Sequence, residues 1–213
     1  MNVSRDATEI RACRASVRTA LGSRTHTASA KPATLDREYF TNYCGEGPYS
    51  ANYRFYSGIE HCLSTLPRLG ARVESVCVLG AATGEILRDF RRAWGVRPRG
   101  CEISRWAHEQ IPRADRARIA CSDMRSYIPA CVRRREHFDL VFSNSLVYLE
   151  AREVPELLGQ CRKLCHYFHF LSSTTEAYEP GDRRRITLRS RAWWRARFLE
   201  AGFRPTRSPY VFR

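Results

Sequence analysis

From Val73 onward, short apolar runs alternate with amphipathic stretches. Residues 75–79 read as a strand, followed by a glycine-containing turn and a helix over about 85–94. Residues 99–103 form a second apolar run, followed by a helix over 106–110, and residues 118–121 form a third. The most apolar run, 138–143, leads to a helix over 154–163 and a fifth strand over 166–172. A last helix covers 192–201 and stops at Gly202, after which 203–207 and 210–212 are extended. Strands separated by single helices predict an α/β fold with a mostly parallel sheet and helices on both faces.

The pattern upstream is different. Residues 35–56 are dense in aromatics, among them Tyr39, Phe40, Tyr43, Tyr49 and Tyr53. Gly45, Gly47 and Pro48 break this stretch into a loop between two helical pieces. Residues 59–69 read as a helix ended by Gly70. The chain thus divides into a basic N-terminal segment 1–34, an aromatic-rich helical cap 35–70 and an α/β core 71–213. Residues 11–34 lack acids and resemble a transit peptide in composition, but Asp6 and Glu9 oppose that reading. A floppy basic tail, or a helix over about 7–21 packed on another chain, fits equally.

With 213 residues, 43% of them hydrophobic, the chain suits one domain with a tail. No stretch approaches the ~20 apolar residues of a membrane helix, so no membrane partner is expected. The formal charge of +14 raises the question of nucleic acid. Yet Lys31 and Lys163 are the only lysines, a skew typical of GC-rich coding, and the arginines are scattered. Solvated arginine faces are favoured over an anion-binding surface. The nine cysteines are odd in number and include no CxxC pair, which disfavours a disulfide framework and leaves no expected metal site. Cys77, Cys101, Cys121 and Cys165 read as small core residues, and a reducing cytoplasm is the expected compartment.

The sharpest motif is Val76-Cys-Val-Leu-Gly80-Ala-Ala-Thr-Gly84, a buried strand running into a turn with two glycines and then a helix. Such a turn lets backbone approach a ligand closely, and the helix start offers unpaired N–H groups. The run is not GxGxxG, which disfavours a dinucleotide pyrophosphate site. Glu102, at the end of the second strand, is placed to accept hydrogen bonds from both hydroxyls of a ribose. Asp123, just past the third strand, can hold an adenine amino group, cap a helix, or do both. Met124 can pack on the ring.

In this order the elements resemble the class I S-adenosylmethionine (SAM)-dependent methyltransferases, over roughly 35–203. Phe138-Asp-Leu-Val-Phe-Ser143-Asn144 resembles the family's fourth motif. The run Ile186 to Trp194 and the run Phe198 to Phe203 resemble a C-terminal signature of a bacterial small-molecule-type subgroup. The resemblance implies a Rossmann-like fold with SAM as cofactor. It implies that Gly80, Ala81, Thr83 and Gly84 cradle the methionine part, that Glu102 and Ile103 bind ribose and flank adenine, and that Asp123 and Met124 hold adenine. Ser143 would lie near the sulfonium. The chain departs from the subgroup in carrying Tyr148 and Arg185 where histidines are frequent, and in lacking an Asn-Pro-Pro-Tyr run. The closing strand is expected to be short or missing.

Methyl transfer needs alignment of a nucleophile and exclusion of water more than it needs acid or base groups. Tyr148 and Asn144 are the candidate catalytic residues, and Tyr43, Tyr49 and Tyr53 are expected to line the acceptor pocket. His169 reads as a packed strand histidine, and Trp193 and Trp194 as anchors of the last helix. The leading expectation is an enzyme, monomer or homodimer, that methylates a small-molecule or peptide acceptor in biosynthesis. An RNA or protein methyltransferase using Arg133–Arg135 and Arg183–Arg185, and a non-catalytic scaffold, remain the alternatives.

Overall fold

The computed structural model describes residues 35–43, 47–171, 174–175, 182 and 184–213. The basic segment 1–34, and Gly45 in the expected loop, lie outside the described residues. The cap contains α1 (Arg37–Thr41), α2 (Tyr49–Ser57) and α3 (Ile59–Arg68). The core then runs β1 (Val76–Leu79), α4 (Glu85–Trp94), β2 (Arg99–Glu102), α5 (Arg105–Gln110), α6 (Arg113–Arg116) and β3 (Ile119–Cys121). It continues with α7 (Met124–Arg133), β4 (Phe138–Ser143), a 3-10 turn at Ser145–Tyr148, α8 (Val154–Arg162), β5 (Cys165–His169), α9 (Arg191–Glu200) and β6 (Val211–Phe212).

The sheet order is β3-β2-β1-β4-β5-β6. The first five strands are parallel, and β6 runs antiparallel to β5. All of β1 is buried, as a central strand covered on both faces requires. Alternation along the strands splits the core in two. Cys77, Leu79, Val141 and Phe168 face α7, α8 and α9 through Ile128, Leu158 and Phe198. Val76, Val78, Leu140 and Phe142 face α3 and α4 through Ile59, Leu66, Leu87 and Phe90. The expected two-sided α/β architecture is thus present.

Asp123 caps helix α7 by accepting the Arg125 N–H, and Pro129 lies inside that helix. One expectation changes. Cys121 is exposed because it ends the edge strand, whereas Cys77, Cys101 and Cys165 are buried free thiols. The closing strand is present but short. Val211 and Phe212 pair with His169 and Phe168, and Phe212 also bridges back to Pro205.

Helix α9 starts at Ser190, whose hydroxyl accepts the Trp193 N–H at 3.1 Å. Trp194 is buried against Phe170, with ring centroids 4.6 Å apart. Trp193 is half-buried and stands edge-on to Trp194. Among the described residues, no helix is long and apolar enough to cross a membrane.

Candidate functional site

Parallel pairing aligns the C-terminal ends of the strands. Leu79 lies beside Cys101 and Ser143, Glu102 beside Cys121, and Phe142 beside His169. The glycine loop, Glu102, Asp123 and Ser143 therefore share one edge of the sheet. The strand order reverses between β1 and β4, and in open α/β sheets ligands bind at such a reversal.

The loop after β1 is held by Glu102. Its carboxylate accepts the Ala82 N–H at 2.7 Å and the Ser104 N–H at 2.8 Å. Gly80, Ala82 and Gly84 all have positive φ, at 84°, 48° and 93°. At Gly80 a side chain would also run into the Ser145 hydroxyl. Thr83 donates to the Glu85 carboxylate at 2.6 Å. Burial pushes the Glu102 carboxyl up, against the backbone N–H groups of Ser104 and Ala82, which pull it down. An ionised carboxylate has about four lone-pair sites. The Ala82 and Ser104 N–H groups occupy part of that capacity, and Glu102 is itself only 3% exposed. Ile103 next to it is 50% exposed, an apolar surface offered where a flat ring would pack.

Asp123 serves as the N-cap of α7, taking the Arg125 N–H at 2.7 Å and its guanidinium Nε at 2.9 Å. Burial acts to raise the Asp123 carboxyl, but Arg125 outweighs it and holds the group below its usual range. Arg125 is itself anchored to Glu153 at 3.0 Å. Met124 packs half-buried beside the core.

Ser143 and Asn144 are fasteners in this structure. Ser143 has no exposed surface; its Oγ donates to Leu79 O at 3.0 Å and accepts the Ser145 N–H at 3.1 Å. The Asn144 amide donates to Ser57 O and accepts the Leu171 N–H at 3.1 Å, tying β4 to the end of α2 and to the segment after β5. Its sequence-assigned place beside the reacting group thus corresponds to a tie between backbones. His169 is buried, stacked on Phe142, with Nε2 at 3.2 Å from His61 Nδ1.

The aromatic cap covers the loop. Tyr43 stands edge-on to Tyr39 and Tyr49, at 5.2 and 5.3 Å between centroids, and Phe40 stacks on Trp106 at 5.9 Å. These rings pack on Ala82 and Ala107. Burial, then the neighbouring Tyr43, Glu85 and Glu102, push the Tyr49 phenol up. Tyr53 touches Tyr49, with ring centroids 6.4 Å apart, and sits deeper. It packs with Ile59, Leu66 and Ala81, and its buried hydroxyl has no hydrogen-bond partner.

The sequence places Tyr39 only within the aromatic segment and Arg184 only within an arginine run, and gives Asp182 no role. The Tyr148 hydroxyl donates to Asp182 Oδ2 at 2.6 Å. The Tyr39 hydroxyl lies 2.6 Å from Tyr148 and 3.1 Å from Asp182 Oδ2. Arg185 Nε lies 3.4 Å from the same carboxylate oxygen, and its Nη2 donates to the Tyr43 hydroxyl at 2.9 Å. The Arg184 N–H donates to Asp182 Oδ1 at 3.0 Å, and the Arg184 guanidinium lies 4.8 Å over the Tyr39 ring. Tyr148 and Arg185, the two departures from the subgroup, thus meet on one buried acid. Asp182 is an isolated acid in an arginine run, and no spacing marks it. Among the described residues, no group of three His, Cys, Asp or Glu side chains is placed to hold a metal.

No protein-family model matches the chain. No curated protein matches it in sequence. Solved structures do match in fold. A SAM-dependent methyltransferase from Archaeoglobus fulgidus is 17% identical, with TM-score 0.56, over 73% of this chain and 74% of that one. DesVI of Streptomyces venezuelae is 17% identical, with TM-score 0.56, over 77% of this chain and 94% of that one. The magnesium protoporphyrin IX methyltransferase of Synechocystis PCC 6803, solved with SAM bound, is 15% identical, with TM-score 0.56, over 85% and 97%. At these identities the likeness is one of fold. The chain has the Rossmann-like fold of the class I SAM-dependent methyltransferases.

Proposed function

We propose that this chain is a SAM-dependent methyltransferase acting on a small-molecule or peptide acceptor. The observation that carries the reading is Glu102. It ends β2, is anchored by the glycine loop, keeps acceptor capacity for ribose hydroxyls, and sits beside exposed Ile103 at the strand-order reversal. Asp123 and Met124 follow on the next strand, where adenine would lie. Gly80, Ala81, Thr83 and Gly84 would hold the methionine part. When bound, SAM supplies an already activated methyl group. The chain's own residues bind it, exclude water through the Tyr39, Tyr43 and Tyr49 cap, and orient an acceptor in line with the methyl.

The fold neighbours include methyltransferases of small molecules, which supports an acceptor of that kind. The RNA alternative loses part of its basis, because Arg184 and Arg185 turn inward to Tyr39 and Asp182 and Arg134 is paired with Glu136 at 2.6 Å.

Calorimetric titration with SAM and S-adenosylhomocysteine (SAH) tests the reading. Micromolar binding is expected for the wild type. Glu102→Gln replaces one acceptor oxygen with a donor facing the ribose. At roughly 1.5–3 kcal/mol for a hydrogen bond to a charged group, affinity should fall at least tenfold. Absence of binding by the wild type, or equal affinity in the variant, would refute the proposal.

A further inference from the structure

Resting on the methyltransferase reading, the acceptor side of the site can be given a chemistry. Tyr39, Tyr148 and Asp182 bring three oxygens within 2.6–3.1 Å of one another. Two phenol protons serve this triangle. With the Tyr148 proton on Asp182, the Tyr39 proton goes to Tyr148 or to Asp182, and no hydroxyl proton is left over. Only lone pairs remain on the phenol oxygens. Two cations flank the triangle: Arg185 is directed to Asp182 and Tyr43, and Arg184 lies on the Tyr39 ring with its buried Nε unpaired. Tyr148 is the half-buried member of the triangle, while Tyr39 and Asp182 are buried. It packs with the cap that covers Ala82 of the glycine loop. At the Tyr148 oxygen the cluster therefore offers an incoming molecule a hydrogen-bond acceptor, which suits N–H or O–H.

Between N–H and O–H nucleophiles, the cluster selects by what it lacks. A hydroxyl must give up its proton to attack, and among the described residues of the cluster none is free to take it. Asp182 is already engaged by Tyr148, Tyr39, Arg185 and the Arg184 N–H. Both phenols are held protonated by burial. A neutral amine carries its own lone pair and needs no base before attack.

We propose that Tyr148, held in place by Asp182 and Tyr39, receives the N–H of an amine acceptor, so that the enzyme is an N-methyltransferase. The amine lone pair forms the N–CH₃ bond. The S–CH₃ bond breaks with its electron pair passing to sulfur, and positive charge moves from sulfur to nitrogen. The resulting ammonium releases its proton to water. Tyr148 touches the acceptor, and Asp182 is a positioning residue acting through it.

The full-length protein is offered methyl-labelled SAM with three matched probes: 2-phenylethylamine, 2-phenylethanol and phenylacetate. SAH affinity is measured alongside by calorimetry. The expected result is SAH binding with label on the amine at least tenfold over the other probes. Tyr148→Phe should raise the amine KM about tenfold with SAH affinity within twofold. Asp182→Asn should do the same, and the double variant should be no worse than either single one. If Asp182→Asn fails to fold, Tyr39→Phe replaces it in the cycle. SAH binding without preference for the amine, transfer to none of the probes included, overturns the acceptor assignment alone. Additive losses in the double variant overturn the role of Asp182. Absence of SAH binding overturns the methyltransferase reading and this proposal with it.

Discussion

His169 ends β5 with no exposed surface, its ring parallel to Phe142 at 4.9 Å and its Nδ1 without a partner. Burial, and then the neighbouring His61, push its pKa down from 6.5 to about 3. The folded protein therefore keeps this ring neutral where the unfolded chain binds a proton. Stability from this group is full above about pH 6.5 and falls as pH drops toward 3, by at most about 1.4 kcal/mol per pH unit. His61 is lowered by burial too and acts in the same direction. Urea unfolding between pH 7.5 and 5 should show this loss, and His169→Leu should flatten it. Equal slopes in the two proteins would contradict the assignment. The sequence distinguished this residue as packed because it sits in an apolar strand. It could not distinguish Asp182, whose partners Tyr39 and Tyr148 lie 143 and 34 residues away along the chain. Glu102 could be singled out because it stands at a strand end, whereas Asp182 gains its partners only through tertiary contacts.

Among the elements, the strands were read most nearly, since each is a short apolar run bounded by polar residues. Helix α7 is foreshadowed only by its cap at Asp123, because Pro129 within it and the arginines at its end obscure its apolar face of Tyr127, Ile128 and Cys131. The cap was read as two helical pieces around a glycine-proline loop, and α1 and α2 take those places. Tyr53 shows the limit of that reading. It lies one turn after Tyr49 on the same face of α2, ring centroids 6.4 Å apart, and joins the core cluster of Ile59, Leu66 and Ala81. Helix α9 matters most through Phe198, which stacks on Phe212 at 4.0 Å and stands near Phe168 and Phe203 at 5.1 and 5.5 Å. This ring joins the last helix to β5 and to the closing hairpin. Phe198→Ala should lower the unfolding free energy by about 3–5 kcal/mol, as large-to-small changes of buried rings do. Urea denaturation measures it, and a loss under 1 kcal/mol would show that the hairpin does not depend on this ring.

For the whole molecule, binding at the strand ends should register as stability. A ligand that binds only the folded state adds about 2.7 kcal/mol at a hundred times its Kd. For a chain of 213 residues that corresponds to a rise in Tm of roughly 5–10 °C. SAH should produce this shift in the wild type and a much smaller one in Glu102→Gln, read by differential scanning calorimetry. A similar rise in both would place the ligand elsewhere. The fold was legible at this scale because strand–helix alternation leaves few topologies, while the acceptor cluster was not, since its members come from the cap, the turn after β4 and the segment before α9. The two outer strands carry a further consequence. At one margin β3 has three residues and ends in exposed Cys121; at the other, β6 has two and meets Pro205. Neither margin presents a row of free backbone groups long enough to template a strand from another chain. Among the described residues, these two sheet margins are therefore protected from edge-to-edge aggregation.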